Sequence, residues 1–284
     1  MKRTNFIIFL ACALIPIVSC EDETVVDGVY DNVTRGAVFR TLTIDSPSLN
    51  IFDPSSLFSL TAEVESNGVP IDRVDVFLSF NDNSDEAPDN SKEEIAFGSI
   101  PASGFSEGPN GFPTITYSST FMDFITALDL DIDQIAGGDS FDLRFILFLS
   151  DGRSFSSGNA NSTVLGGSFF RSPFNYGIGI NCVPTSPVSG DYVLNITDTY
   201  GDGWDGAFFT ANIDGDSTNY TIESGGSGSF TITVPEGTTE LEFLYTSGNF
   251  EAEHVYELIA PTGETAAADG PSPATGAITL NICN

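Results

Sequence analysis

Positive charge is scarce in this chain of 284 residues. It has nine lysine and arginine residues against 40 aspartate and glutamate residues, and its formal net charge is −31 at pH 7. A field of that sign repels nucleic acid and anionic lipid and attracts divalent cations. We therefore exclude nucleic acid as a partner and expect cation sites.

Histidine and cysteine are also rare. His254 is the single histidine, so a Ser-His-Asp or Cys-His catalytic group would have to use it. A zinc site built from His and Cys side chains takes about four such ligands, and this chain lacks them if Cys12 is removed on export and Cys20 is lipidated. Acid–base chemistry by carboxylates stays open, because carboxylates are abundant.

The apolar run at the start of the chain, residues 6–18, is too short to cross a bilayer, which takes about 20 residues. Lys2 and Arg3 precede it, and the small residue Ser19 follows it. This is the pattern of a secretory signal peptide. We predict that residues 1–19 are removed on export.

Residues 17–20 (Ile-Val-Ser-Cys) resemble the lipobox of bacterial lipoproteins. The resemblance implies that Cys20 begins the mature chain and is lipidated, so that its acyl chains hold the protein on a membrane. The acidic residues 21–23 resemble the export tag of lipoproteins displayed on the surface of Bacteroidota, although any solvated tether is acidic in so acidic a chain. We expect lipid anchoring at the outer membrane, exposure at the cell surface, and a tether over residues 20–29.

Two cysteines remain if Cys12 leaves with the signal peptide and Cys20 is lipidated. In an oxidising compartment Cys182 and Cys283 are expected to pair, two free thiols being the alternative. Closing a loop of that size stabilises a fold by about 4 kcal/mol in the chain-entropy model. The pair also predicts a C-terminal domain, residues 183–284, whose first and last strands are joined.

The composition is typical of antiparallel all-β domains. The chain has 24 Phe and 8 Tyr, and its short apolar runs are separated by clusters of Asn, Asp, Gly and Ser. We predict two β-sandwiches: residues 30–182 as an Ig-like or related sandwich with one short helix, and residues 183–284 as a jelly-roll or CUB-like sandwich. The clearest predicted strands are 57–64, 74–80, 141–149, 193–196, 207–213, 229–234, 241–245, 255–259 and 277–282.

The predicted helix begins after Thr120, since Thr120 and Asp123 have capping-box spacing. Its apolar residues recur at helical intervals, and Gly137 and Gly138 are expected to end it. They are Phe121, Phe124, Ile125 and Leu128.

Four aromatic residues surround one arginine near the end of the first predicted domain. They form either a surface for a partner or the last, core-covering strand of the domain. The residues are Phe169, Phe170, Arg171, Phe174 and Tyr176.

Residues 29–41, 151–153 and 172–176 together resemble a family of Bacteroidota lipoproteins. Its members are usually encoded beside a TonB-dependent transporter and its SusD-type lipoprotein lid. The resemblance covers most of residues 25–182. It implies an accessory subunit on a SusC/SusD-type outer-membrane complex and names no substrate.

The segment 198–206 (DTYGDGWDG) is the sharpest local signal. Asp198, Asp202 and Asp205 supply hard oxygen ligands, and three glycines allow backbone carbonyls to turn inward. Ca²⁺ suits that set in a structural role. The alternative is that the Asp-Gly pairs only make turns and that Trp204 plugs the core. The flanking predicted strands place the loop between two strands of one sheet.

The same segment resembles the D-x-Y-G-D-G-W-N-G signature of secreted β-sandwich modules, with Asp205 in place of asparagine. The resemblance extends to residues 248–258, where we expect Glu253 to reach the cation site, with Glu251 as the substitute. His254, beside Glu253, is interpreted as a surface residue or a partner of the ligands.

Four functions are compatible with the sequence. The first is a non-enzymatic surface lipoprotein that serves a SusC/SusD-type or other outer-membrane barrel complex. The second is a variant of the first, in which that complex serves outer-membrane protein biogenesis. The third is a carbohydrate- or peptide-binding module that presents aromatic side chains. The last is a glycan-degrading enzyme with two carboxylates about 5–10 Å apart, although the sequence singles out no such pair.

Overall fold

The computed structural model of the chain describes residues 35–84 and 88–283. The predicted signal peptide, the lipidation site Cys20 and the tether lie outside these residues. Of the helices in the described ranges, none is long and apolar enough to cross a membrane.

The described residues form 18 strands and two short α-helices. The helices are α1 (Phe121–Leu128) and α2 (Ser162–Gly166). The strands are β1 (Val38–Ser46), β2 (Ser48–Asn50), β3 (Leu57–Glu65), β4 (Ile71–Asn81), β5 (Lys92–Pro101), β6 (Ser106–Glu107), β7 (Pro113–Thr120), β8 (Ser140–Leu149), β9 (Ser154–Phe155), β10 (Asn175–Asn181), β11 (Gly190–Asp198), β12 (Phe208–Ile213), β13 (Asp216–Tyr220), β14 (Ser227–Val234), β15 (Leu241–Thr246), β16 (His254–Ile259), β17 (Thr265–Asp269) and β18 (Gly276–Ala277).

The first ten strands form a sandwich of two sheets. Their orders are β1-β3-β7-β6 and β2-β10-β8-β4-β5, with β9 paired to β8. Burial alternates along β8, because successive side chains of a strand point to opposite faces. Phe145 of β8 packs against Phe39 of β1 at 5.4 Å and Tyr117 of β7 at 5.3 Å between ring centroids, so the two sheets face each other across one core.

The last eight strands form a second sandwich, with sheet orders β14-β11-β16-β17 and β13-β12-β15-β18. Tyr192 of β11 packs on Phe243 of β15, and Phe209 of β12 packs on Tyr256 of β16, at ring separations of 5.3 and 5.5 Å. Its core is separate from that of the first sandwich. The predicted all-β fold with two β-sandwiches is confirmed.

The capping box of α1 is confirmed. The backbone N–H of Asp123 donates to Oγ1 of Thr120, and the N–H of Thr120 donates to the Asp123 carboxylate. The predicted end at Gly137 and Gly138 is wrong, because the helix stops at Asp129, which has φ +52°. Aspartate tolerates this left-handed conformation better than most residues, so no glycine is needed there.

The disulfide between Cys182 and Cys283 is confirmed. A Cβ atom added to Gly137, in the first sandwich, would lie 2.2 Å from Sγ of Cys182 and 2.1 Å from Sγ of Cys283. Beside the bridge, Asn50 of β2 donates its amide to the carbonyl of Val183 and accepts from the N–H of Val183. The bridge therefore packs against both sandwiches at the point where one continues into the other.

The predicted strand 277–282 is wrong beyond Ala277. The N–H of Ile278 donates to Phe243 of β15, but the N–H of Asn281 donates to Ala266 of β17 and that of Ile282 to Cys182. The extended segment thus passes from one sheet to the other. Its alternating apolar residues face the core throughout, so periodicity alone does not show this change of partner.

Candidate metal centre

The acidic loop connects the two sheets of the second sandwich. β11 ends at Asp198 and β12 begins at Phe208, and these strands lie in opposite sheets. The prediction that the loop joins two strands of one sheet is therefore wrong. Strand periodicity shows which side chains are buried, but not which strand supplies the hydrogen-bonding partner.

Asp198 holds the loop in shape. Its side chain is buried, and its carboxylate accepts four backbone N–H groups: Tyr200 donates to Oδ1, while Gly201, Asp202 and Gly203 donate to Oδ2 over 3.1, 2.8 and 2.7 Å. Burial by itself raises the pKa of Asp198, but these four donors outweigh it and hold the pKa below the ordinary value. Oδ1 accepts a single N–H, so it keeps a lone pair for another ligand.

Two glycines permit close backbone contacts in this region. Gly203 has φ +119°, and a Cβ atom there would lie 2.8 Å from the carbonyl of Glu223. A Cβ atom on Gly248 would lie 2.3 Å from the backbone nitrogen of Ala207. Residue 248 therefore lies against the end of the acidic loop, which brings the segment before β16 to the cluster.

Trp204 packs beneath the loop, fully buried, and its Nε1–H donates to the carbonyl of Thr197 over 3.0 Å. This buried position is what we expect of Trp204 if the Asp-Gly pairs only make turns. A cation site would need the same packing beneath the loop, so the position of Trp204 does not separate the two interpretations.

Three carboxylates converge at the loop. Asp198, Asp202 and Glu253 each offer an oxygen within 4.8 Å of the others. The N–H of Thr199 donates to the carbonyl of Glu253 over 2.9 Å and joins the two segments. Burial raises the pKa of Glu253, and the charges of Asp198, Asp202 and Asp205 raise it further, against the smaller opposite effect of His254. A bound cation would relieve this repulsion.

Asp205 is not a member of this three-carboxylate group, although its charge acts on Glu253. Its Oδ2 is buried and accepts no hydrogen bond from the described residues. An ionised carboxylate oxygen is an acceptor only, so burial without a donor is costly unless a cation or water satisfies it.

The residues present fit Ca²⁺. Its preferred ligands are carboxylate, carbonyl and water oxygens, six to eight in number, at about 2.3–2.6 Å. Asp202, Glu253 and Oδ1 of Asp198 would hold the ion, and Asp205 would complete the acidic set. When bound, such an ion offsets the charge of the cluster and cross-links the loop to the segment before β16.

Glu251, the substitute ligand, makes other contacts. Its carboxylate accepts from the N–H of Gly248 and from the hydroxyl of Tyr245. His254 is fully buried, so its interpretation as a surface residue is wrong. Nδ1 of His254 lies 3.1 Å from the Tyr245 hydroxyl, whose pKa is raised by burial and by Glu251. The Tyr245 hydroxyl has one hydrogen and donates it to Glu251. It can therefore only accept from His254, so Nδ1 of His254 is the donor.

Two exposed aromatic residues lie close to members of the cluster in sequence. Tyr200 lies between Asp198 and Asp202 and is 76% exposed, and Phe250 lies three residues before Glu253 and is 68% exposed. Phe250 also has φ +59°, a costly conformation for a bulky side chain. Tyr200 belongs to the motif, but no sequence pattern indicates that Phe250 is exposed.

The chain matches no protein-family profile and no curated protein. Among solved structures it is similar to fibronectin(III)-like modules of Clostridium thermocellum CbhA, with 15% identity, a TM-score of 0.24, and coverage of 80% of this chain and 90% of that one. A bacterial ice-binding adhesin of 1.5 MDa matches at 15% identity and a TM-score of 0.25, over 87% of this chain and 65% of that one. An adhesin from Mobiluncus mulieris matches at 9% identity and a TM-score of 0.22, over 87% and 93%.

The structure divides the predicted partner surface. Phe174 and Tyr176 are buried in the first core, whereas Phe169 is largely exposed and Phe170 is half-buried. Arg171 is exposed. The interpretation as core-covering residues therefore holds for the last two aromatics but not for the first.

Sequence reasoning missed three exposed apolar side chains on adjoining segments, Phe52, Leu57 and Met122, which we call the apolar patch. These side chains are 47, 42 and 45% exposed. The N–H of Met122 donates to the carbonyl of Pro54, and Leu57 pairs with Thr120 in adjacent strands, so the 52–57 segment and the start of α1 lie together. The sequence offers one signal of these exposed side chains, which is that the apolar residue Met122 lies on the outer face of α1.

Proposed function

We propose that the protein is a non-catalytic, lipid-anchored subunit displayed on the outer membrane. It serves a SusC/SusD-type complex as an accessory or binding subunit and docks through the apolar patch of Phe52, Leu57 and Met122. The signal peptide, the lipobox and the acidic residues 21–23 support the location. The resemblance of residues 25–182 to transporter-associated lipoproteins supports the partner.

The apolar patch carries the docking proposal. Three large apolar side chains that leave nearly half of their surface in water lie on two backbone-linked segments. Exposed apolar side chains gathered in this way mark interaction sites more often than scattered ones do. Covering each of them would contribute on the order of 1 kcal/mol, enough to anchor the centre of an interface.

The metal centre has a structural role in this proposal. A calcium ion would hold the loop between β11 and β12 against the segment before β16, and calcium is plentiful outside cells. The buried position of His254 supports the non-catalytic assignment, since a general base must reach its substrate.

Purification from native outer membranes through a C-terminal tag tests this function. We expect a TonB-dependent transporter and a SusD-type protein to copurify, and the Phe52→Ser, Met122→Ser double variant to lose them. Ile132→Ser is the control, because Ile132 is exposed to a similar degree and lies beyond the other end of α1. Recovery of an outer-membrane biogenesis barrel instead would establish the alternative assembly, and recovery of no barrel would refute both.

A second candidate, a carbohydrate- or peptide-binding module, is favoured by Tyr200 and Phe250 beside the cluster. Exposed aromatic rings stack on the apolar faces of sugars and on peptide side chains. Glycan and peptide arrays probed with and without Ca²⁺ test it. We expect Tyr200→Ala to abolish any signal, whereas an array without signal in either condition would eliminate this candidate.

A further inference from the structure

Arg171 differs from four other arginines of the described residues. Arg40, Arg73, Arg144 and Arg153 each pair with a carboxylate and each lie over an aromatic ring. In a chain with 40 acidic residues, no described carboxylate pairs with the exposed side chain of Arg171. A guanidinium group offers five donors in a planar fork that matches a carboxylate.

The backbone holds Arg171 in an unfavourable conformation. Its φ is +41°, in the left-handed region that costs an ordinary residue about 1–2 kcal/mol. Its N–H donates to the carbonyl of Gly167 over 2.9 Å, and its carbonyl accepts from the N–H of Thr41 over 2.8 Å. Strain that surrounding contacts maintain is common where a side chain has to be aimed at a ligand.

A pocket of about 410 Å³ lies beside Arg171, between β1, α2 and the start of β10. Such a volume is in the range of small-molecule sites. About half of its wall is apolar, and the side chains that form this part are Ile44, Pro47, Phe58, Leu165 and Pro173.

The polar part of the pocket consists of Arg171, Asn175 and a pair of buried hydroxyl groups. Oγ1 of Thr41 and the hydroxyl of Tyr176 lie 2.7 Å apart, and both residues line the pocket. One hydrogen makes the bond between them, so the hydrogen of the other hydroxyl is left to donate. Burial raises the pKa of Tyr176 to about 12, against the smaller effects of Thr41 and Arg171, so the phenol stays protonated.

We propose that this pocket binds an apolar carboxylic acid. The carboxylate pairs with Arg171 and accepts a hydrogen bond from the Thr41–Tyr176 hydroxyl pair, and the ring or branched chain of the acid fills the apolar wall. The net charge of −31 opposes any anion at long range, so a small anion such as acetate gains too little to bind. The pocket shares no lining residue with the metal centre or with the apolar patch, and failure of this proposal would leave the other two standing.

Calorimetric titration of the purified full chain in lipid nanodiscs tests the pocket, with empty nanodiscs as the blank. The probes are 4-phenylbutyrate, its uncharged amide and acetate. A tripeptide ending in Phe, with a free or an amidated C-terminus, separates a peptide terminus from a free acid as the source. We expect 4-phenylbutyrate to bind at least about tenfold more tightly than the amide, and acetate not to bind.

Arg171→Gln should weaken binding of the acid by about tenfold or more and leave the amide unchanged. Arg153→Gln is the matched control, because it removes the same charge from the same sandwich away from the pocket. Equal binding of acid and amide overturns the proposal, as does no binding at all or equal loss in both variants. If Arg171→Gln has a lowered melting temperature, the difference in affinity between 4-phenylbutyrate and its amide on the natural chain tests the proposal without the variant.

Discussion

The backbone N–H of Gly203 donates to Oδ2 of Asp198 over 2.7 Å, the shortest of the four backbone hydrogen bonds that this carboxylate accepts. Gly203 reaches that position with φ +119°, where a side chain would meet the backbone of Glu223. One buried carboxylate and one glycine thus shape the loop that carries Asp202 and Asp205.

Asp198→Asn is expected to destabilise the second sandwich even without metal. An amide has one acceptor oxygen and no charge, so it leaves some of the four N–H donors unsatisfied. Fluorescence of Trp204, the single tryptophan, should report a melting temperature lower by about 5 °C in EDTA. Asp202→Asn is the control: its side chain is exposed, so it should weaken calcium binding with little effect in EDTA. Equal melting of both variants in EDTA would contradict this role for Asp198.

Glu253→Gln is expected to stabilise the metal-free protein near pH 7. Burial and like charges raise the pKa of Glu253 above its ordinary 4.5, so its contribution to stability is lost as the pH rises through the raised value. The advantage of the variant should therefore shrink as the pH falls below that value and vanish towards the ordinary 4.5. Asp198 has the opposite effect, because its pKa is lowered. Its contribution to the stability of the fold is lost as the pH falls through this pKa, which lies below the ordinary 3.8.

Calcium should reverse the order of stability, so that the natural chain becomes more stable than Glu253→Gln. Bound Ca²⁺ stabilises the natural chain by mass action, whereas Glu253→Gln has lost a ligand and gains less. Urea unfolding at several pH values, with EDTA or Ca²⁺, measures both effects, and Glu236→Gln is the control for a charge removed elsewhere in this sandwich. A natural chain that does not respond to Ca²⁺ would remove the metal from this account.

Gly137→Ala is expected to cost about 1–3 kcal/mol, because its Cβ would overlap both sulfur atoms of the disulfide. In the Cys182→Ala, Cys283→Ala background, which is itself less stable by about 4 kcal/mol, the same change should cost much less. Gly98→Ala is the control, since a Cβ there contacts nothing. An unchanged cost without the sulfur atoms would show that the strain lies elsewhere.

Phe250→Gly is expected to keep or raise stability by up to about 1 kcal/mol, because glycine removes the strain of φ +59° and the side chain is largely exposed. If the second candidate function is right, the same variant loses ligand binding on the arrays. Thermal melting and array binding, measured on one preparation, test both. A clear loss of stability would mean that Phe250 supports the fold instead.

Several features of the fold follow from local sequence. The capping box at Thr120 and Asp123, and the alternation of 141–149, involve residues a few positions apart, and each set of side chains acts on its own segment. The end of α1 at Asp129 had no such signal, since an aspartate in the left-handed region differs from any other aspartate only in its surroundings. The acidic residues of the loop could also be predicted as ligands, because they lie in one short segment. Glu253 lies in another segment and was expected only from a resemblance.

The sequence by itself determined that the protein is β-rich and strongly acidic, and it made a bridge between Cys182 and Cys283 the expected pairing, because composition, periodicity and cysteine count are properties of the chain. Only the tertiary structure decided that the acidic loop joins opposite sheets, that His254 and Tyr176 are buried, and that Arg171 stands beside a pocket without a carboxylate. Strand pairing and burial depend on contacts between residues far apart in sequence, which neither periodicity nor spacing encodes.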